Sequence, residues 1–392
     1  MSFLQISWII VQILIGYHLV LPFILYLIYK IKGKSKRFSE RGFQGSREND
    51  YAIIVTAYEQ TTLLPAVVDS ILKLNYANYL IYIVADKCDI SNLHFENEKV
   101  ILLKPETVLA SNTRSHFFAI ANFKRKHDVL TIIDSDNIVD PNYLKEINVF
   151  FDLGFEAVQG TRAAKNLNST YACLDAARDI YYHFYDGEIL FELGSSATLA
   201  GSGMAFKVDL YKECLGELDI SGAGFDKVLQ AQILKKDKRI AFAKEAIVYD
   251  EKTVQSEQLI NQRSRWINTW FKYFGYGFDI IYKALKNFSV NQFLFGLILL
   301  RPPLFMFILS AVLFGFANLF ISQEYSIVWL IALVVFVISF YISLKNYPTD
   351  KRIYRSLINI PKFIYFQLVS LMYARSANNR SVATKHNGNS GV

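Results

Sequence analysis

From Phe3 to Ile31 the chain is apolar almost throughout, with Gln5, Gln12, His18 and Lys30 as its strong polar residues. A helix of that length exceeds the ~20 residues that cross a bilayer. The uncharged start and the lack of a small-residue cleavage site speak against a cleaved signal peptide, so residues 1–31 are expected to be a permanent anchor. Lys30, Lys32, Lys34, Lys36, Arg37 and Arg41 follow, offset only by Glu40. The positive-inside rule then puts the N-terminus outside and the next segment in the cytoplasm.

From about residue 50 to 285 the pattern changes to short β-branched runs alternating with longer helical ones. Tyr51–Val55, Leu80–Val84, Val100–Leu103 and Val129–Ile133 read as strands, and Thr62–Leu74 and Thr113–Phe123 as helices. Alternation of this kind predicts an α/β domain built on a parallel sheet. A further helix is expected over about Gln255 to Phe274.

A second apolar region covers 289–345. Arg301-Pro302-Pro303 interrupts it. Proline suits the start of a helix, so Pro302–Ile321 and Ile327–Leu344 are expected to span, with Asn291–Leu300 left as an interfacial segment. The link Ser322–Ser326 would lie outside, and Lys345, Lys351, Arg352 and Arg355 would return to the cytoplasmic side. Within 353–375, Asn359, Pro361, Lys362, Gln367 and Ser370 break the apolar run, leaving an interfacial helix and a further span as equal alternatives. Residues 376–392, rich in Ser, Asn and Gly, read as a flexible tail.

Composition agrees with this layout. The 392 residues are 52% hydrophobic, which excludes intrinsic disorder, and three scattered cysteines, Cys88, Cys173 and Cys214, imply no disulfide framework. The net charge of +7 is concentrated beside the apolar segments, where anionic lipid accounts for it without any nucleic-acid partner.

In open α/β sheets ligands bind beyond the carboxyl ends of the strands. Those positions carry Thr56-Ala57-Tyr58-Glu59, Asp86, and Asp134-Ser135-Asp136. Two carboxylates at i and i+2 can converge on Mg²⁺ or Mn²⁺, although such a pair is also common in solvated loops and helix caps. Gly201-Ser202-Gly203 reads as a turn before Met204. Asp226 opens a helix and suits either an N-terminal acid or a general base. Gln262, Arg265 and Trp266 share one helical face, which suits a phosphate-binding groove or a membrane interface. There is no Gly-x-x-x-x-Gly-Lys loop, no Gly-x-Ser-x-Gly elbow and no zinc-ligand spacing among the six histidines.

The ordered set of Thr-Ala-Tyr-Glu, Asp86, Asp-Ser-Asp, Asp226 and Gln-Arg-Ser-Arg-Trp resembles the inverting, membrane-integrated family 2 glycosyltransferases, the group of cellulose, chitin and hyaluronan synthases. The resemblance runs from about Tyr51 to Tyr273. It implies a GT-A type, Rossmann-like cytoplasmic domain flanked by transmembrane helices in a cell membrane. It further implies a UDP-sugar donor, a glycan or lipid-linked acceptor, and Mn²⁺ or Mg²⁺. Thr56, Ala57, Tyr58, Glu59, Asp86, Arg114 and Asp134 would bind the nucleotide-sugar, and Asp136 with Asp134 the metal. Asp226 would be the base, and Gln262, Arg263, Arg265 and Trp266 would frame the diphosphate and acceptor. A homo-oligomer or an export partner would suit so few spans.

Three departures stand out. Phe225 replaces the family's glutamate, Arg114 stands where a lysine is usual, and Gly201-Ser202-Gly203 is approximate. Val382-Ala383-Thr384-Lys385 resembles a gating loop. The competing reading is a catalytically weakened nucleotide-sugar-binding subunit or membrane scaffold. A two-carboxylate hydrolase would leave the Asp-x-Asp pair and the arginine helix unexplained.

Overall fold

The computed structural model describes residues 2–32, 48–220 and 222–377. The basic run from Lys34 to Arg41 and the segment Val382–Lys385 lie outside the described residues.

Eight strands form one sheet: β1 (Tyr51–Tyr58), β2 (Tyr79–Asp86), β3 (Val100–Leu103), β4 (Val129–Asp134), β5 (Ile138–Val139), β6 (Ala157–Ala164), β7 (Met204–Lys207) and β8 (Ile240–Asp250). Their order is β3-β2-β1-β4-β7-β6-β8-β5. Ile53, Ile54, Val55, Ile81, Ile83, Val84, Ile132 and Ile133 are buried, as expected for parallel strands covered on both faces.

The expected parallel sheet holds for β1–β4 and not beyond. β7 runs antiparallel to both β4 and β6, and only β6–β8 restores a parallel pair. The change of direction falls at Gly201-Ser202-Gly203, where Gly201 and Gly203 have φ of +89° and +67°. A Cβ at Gly203 would also meet the Val248 side chain at 2.7 Å, so a glycine is required there.

Three described helical stretches are long and apolar enough to cross a membrane: Phe3–Lys32, Gln323–Lys345 and Lys351–Ser376. Val290–Leu299 and Leu304–Asn318 meet at a 73° bend and make a fourth only if taken together. This corrects the expected Pro302–Ile321 span. The helix there has 15 residues, about 22 Å at 1.5 Å each, against a hydrocarbon core of about 30 Å. Pro302 and Pro303 end one helix before they start the next, and Asn291–Leu300 is largely the preceding helix.

Polar groups hold the apolar helices in register. Gln12 Oε1 accepts from Asn318 Nδ2 at 2.5 Å and from Trp329 Nε1 at 2.6 Å, and Trp8 Nε1 donates to Asn318 Oδ1 at 3.1 Å. Among apolar helices, whose packing is non-directional, such bonds fix the register. The helix Phe3–Lys32 is thereby fixed against both Leu304–Asn318 and Gln323–Lys345.

Candidate active site

The chain leaves β1 towards β2 and β3, then returns to the other side of β1 as β4. This reversal opens a crevice at the carboxyl ends of β1 and β4, where Thr56 stands in register with Asp134. Asp134 ends β4, and the following turn is closed by the Asn137 N–H donating to the Asp134 carbonyl at 3.1 Å. Ser202 Oγ holds this loop from beneath. It accepts from the Asp134 N–H at 3.1 Å and from Asn137 Nδ2 at 2.7 Å. The Gly201–Gly203 turn therefore fixes the Asp-x-Asp loop, a link invisible in the sequence.

Asp226 lies in the first turn of the helix Phe225–Lys235. The preceding Gly224 has φ +102°, and a Cβ there would meet Thr269 Cγ2 at 2.5 Å and Tyr273 at 2.7 Å. That close approach seats Asp226 against the helix Ser256–Tyr273, which carries Gln262, Arg265 and Trp266. Phe225 turns into the core, its ring edge-on to His116 at 5.1 Å between centroids.

Asp134, Asp136, Asp226, Gln262, Arg263, Arg265 and Trp266 all line one cavity of about 900 Å³. Thr56, Ala57, Tyr58, Glu59, Asp86 and Arg114 do not line it. They stand around the strand ends and are engaged there with one another and with nearby loops. The Asp86 carboxylate accepts from the Leu109 and Ala110 N–H groups at 2.9 and 2.7 Å. Glu59 pairs with Lys87 at 2.7 Å, and Arg114 with Asp219 at 2.6 Å.

Two residues of the Gln-Arg-Ser-Arg-Trp run differ from expectation. Arg263, at the cavity wall, is buried and bound to Asp175, so its charge is shared with a carboxylate of the chain. Trp266 carries the guanidinium groups of Arg178 and Arg263 at 4.2 and 4.1 Å from its ring centre. The ring expected under an acceptor sugar is thus already in contact with two cations of its own chain.

The cavity floor holds charges that the sequence did not single out. Arg162 on β6 donates to the Ala200 carbonyl and pairs with Asp250 at the end of β8, each at 2.6 Å. Lys252 bridges Asp250, at 2.7 Å, and Asp179. Burial alone would raise the Asp179 carboxyl, but Lys252, Arg178 and Arg162 hold it well below the usual carboxylate range. Asp134 behaves oppositely. Burial, then the charge of Asp136, pushes it up to about 7. Two half-buried acids on one loop favour sharing a proton or a cation.

Polar atoms without partners also face this region. Gln262 Oε1, Trp270 Nε1 and Arg162 Nε are buried and lack hydrogen bonds, all three belonging to residues that line the cavity. No cluster of three His, Cys, Asp or Glu suited to a metal occurs among the described residues. Two carboxylates on one loop nonetheless fit Mg²⁺ or Mn²⁺, whose remaining ligands come from phosphate oxygens and water.

Residues 48–269 match the family model described as glycosyltransferase like family 2. The chain belongs to that family. This glycosyltransferase has the mixed α/β, Rossmann-like GT-A fold, with an open curled sheet and apolar helices towards both termini. It superposes on the mannosyltransferase PcManGT from Pyrobaculum calidifontis, solved in complex with GDP-Man and Mn²⁺. The TM-score is 0.53 at 14% identity, covering 93% of this chain and 98% of the other. S. aureus TarS 1–349, in complex with UDP-GlcNAc, matches at a TM-score of 0.41 and 14% identity over 84% of this chain and 90% of its own, a likeness too low to carry weight. No curated protein is similar to this glycosyltransferase in sequence.

Proposed function

We propose that the chain is a membrane-bound, metal-dependent inverting glycosyltransferase of the membrane-integrated synthase-like type. It would move a hexose from a UDP-sugar to a glycan or lipid-linked acceptor in polysaccharide or oligosaccharide synthesis. The observation that carries this reading is the convergence of Asp134, Asp136, Asp226, Gln262 and Arg265 on one cavity. The catalytic domain would face the cytoplasm, with the N-terminus outside.

Each residue has a task in a single displacement. Asp226, half-buried on the first turn of its helix and paired with Lys227 at 3.2 Å, takes the proton of the acceptor hydroxyl. The acceptor oxygen forms its bond to the anomeric carbon as the bond to the diphosphate breaks on the opposite side, inverting the centre. Arg265 lies where its positive charge offsets the departing diphosphate, and Gln262 offers its amide beside it. A divalent cation held by Asp134 and Asp136 would supply further charge to the diphosphate. Thr56, Glu59, Asp86 and Arg114 at the strand ends would border the nucleoside.

The test is UDP and GDP release by the detergent-solubilised protein across a nucleotide-sugar panel, with Mn²⁺, Mg²⁺ or chelator. GDP-mannose is included because PcManGT was solved with it. Metal-dependent turnover with one donor, reduced about 10²–10⁴-fold in Asp226→Asn, supports the reading. Nucleotide-sugar binding with no turnover for any donor would favour a binding subunit, consistent with Phe225 standing where the family has glutamate.

A further inference from the structure

The charges along the cavity floor form one series with a cation at each end. Arg263 binds Asp175, and the same Asp175 oxygen, Oδ1, lies 3.0 Å from Arg178 Nη2. Arg178 continues to Asp179 at 2.6 Å, Asp179 to Lys252, and Lys252 to Asp250 at 2.7 Å. Arg162 closes the series on Asp250 at 2.6 Å. Four cations thus alternate with three carboxylates, and each carboxylate serves two of them. Arg263, Lys252 and Asp175 are each 3% exposed, so water does little to screen the surplus positive charge.

Other charges at the cavity do not absorb it. Asp226 is paired with Lys227 at 3.2 Å, Asp186 with Arg301 at 2.9 Å and Glu251 with Lys165 at 3.6 Å. At the Arg162 end the charges of Asp134 and Asp136 act on the guanidinium, so that end belongs with the donor. At the other end, Arg263 shares its carboxylate with Arg178, and its Nε is buried without a hydrogen-bond partner among the described residues. Arg263 and Arg178 also meet at one ring. They lie 4.1 and 4.2 Å from the centre of Trp266, which lines the cavity and is 37% exposed. Two guanidinium groups sharing one carboxylate beside an accessible aromatic ring suit a sugar that bears an anion.

We infer that the acceptor is a sugar with an anionic group separate from its attacking hydroxyl, the anion bound by Arg263 and Arg178 and the sugar ring against Trp266. A uronic-acid carboxylate and the phosphate of a lipid-diphosphate-linked sugar both supply such a group. The attacking hydroxyl stays neutral and gives its proton to Asp226. This deepens the transferase reading above and rests on it.

The experiment uses the full chain in phosphatidylcholine vesicles with radiolabelled donor, the donor being whichever supports nucleotide release. Acceptors are offered in two pairs, charged and neutral. One pair is a uronate-terminated oligosaccharide and its methyl ester. The other is a polyprenyl-diphosphate-linked sugar and the long-chain alkyl glycoside of the same sugar. In one pair kcat/KM for the charged member should exceed that for the neutral one about tenfold or more, and that pair identifies the source of the anion. Ratios near one in both pairs, or transfer to neither charged acceptor, overturn the inference and leave the transferase reading standing.

Two variants test the position. Arg263→Gln removes the surplus cation, and Arg178→Gln removes its neighbour at Trp266. Each should bring the charged-to-neutral ratio down about tenfold, a comparison made within one protein and so independent of its overall rate. A ratio unchanged in both variants places the anion elsewhere and overturns the inference. No nucleotide release with any donor fails the transferase reading first. Calorimetric binding of the uronate oligosaccharide against its ester then tests the anion site alone, and equal affinities overturn it.

Discussion

The β1–β4 half of the sheet and the helical region from Ser256 to Ser376 border the same cavity, but they are held by different physics. Asp134 ends a strand whose neighbours are buried on both faces, and its loop is pinned by Ser202 from the turn that leads into β7. Its position is over-determined. On the helical side, apolar packing is non-directional, so geometry rests on a few polar contacts. Ser264 Oγ donates to the Ser370 carbonyl and Asn268 Nδ2 to the Ala374 carbonyl, both at 2.9 Å, and Arg301 is tied to Asp186. The comparison teaches that the strand-end side is built for precision, and the helical side, proposed to meet the acceptor, can be retuned by changing very few residues.

Breaking one of those few polar contacts should therefore have the largest effect. Arg301→Met leaves Asp186 buried without a partner and is expected to cost about 3–5 kcal/mol in stability. Thermal unfolding in detergent measures it, and pairing the change with Asp186→Leu should recover most of the loss. An Arg301→Met midpoint equal to wild type would mean that the pair does not fix the helix break.

Gly224→Ala joins the two halves in one experiment. The new Cβ collides with Thr269 and Tyr273 in a backbone conformation that suits glycine, so a cost of about 1–3 kcal/mol is expected. Because Asp226 is displaced with it, kcat should fall more than donor KM rises. Equal changes in the two constants would argue that Asp226 is not positioned through this contact.

Ser202→Ala probes the donor side alone. It removes the acceptor for the Asp134 N–H and Asn137 Nδ2, at a cost of about 1–3 kcal/mol. Donor KM should rise while acceptor KM holds. The smallest effect is expected from Arg114→Ala. Its ion pair with Asp219 is exposed on both sides, so the unfolding midpoint should not move, and donor KM should change by about twofold at most. A larger rise would bring Arg114 to the nucleotide.

Much of the donor side was legible because its signals are local. Each of β1–β4 is a β-branched run, and Asp86 and the Asp134–Asp136 pair follow directly from where those runs stop. The helix Ser256–Tyr273 was visible from its period, to within a residue at each end. The floor of the cavity was not legible, since Arg162 and Asp250 are 88 residues apart and meet only because β6 and β8 pair. The pairing of Arg263 with Asp175 was equally hidden, since the two are 88 residues apart. The proline pair was misread because proline terminates a helix as readily as it begins one.

The bonds of Gln12 bear on how the molecule is made. Its partners Asn318 and Trp329 lie 306 and 317 residues further along the chain. A ribosome releases the first helix long before either partner exists, so its amide must wait without them while the sheet domain is synthesised. The helical bundle can close only after that, which makes closure a late event in biogenesis and lets it act as a checkpoint on a completed chain.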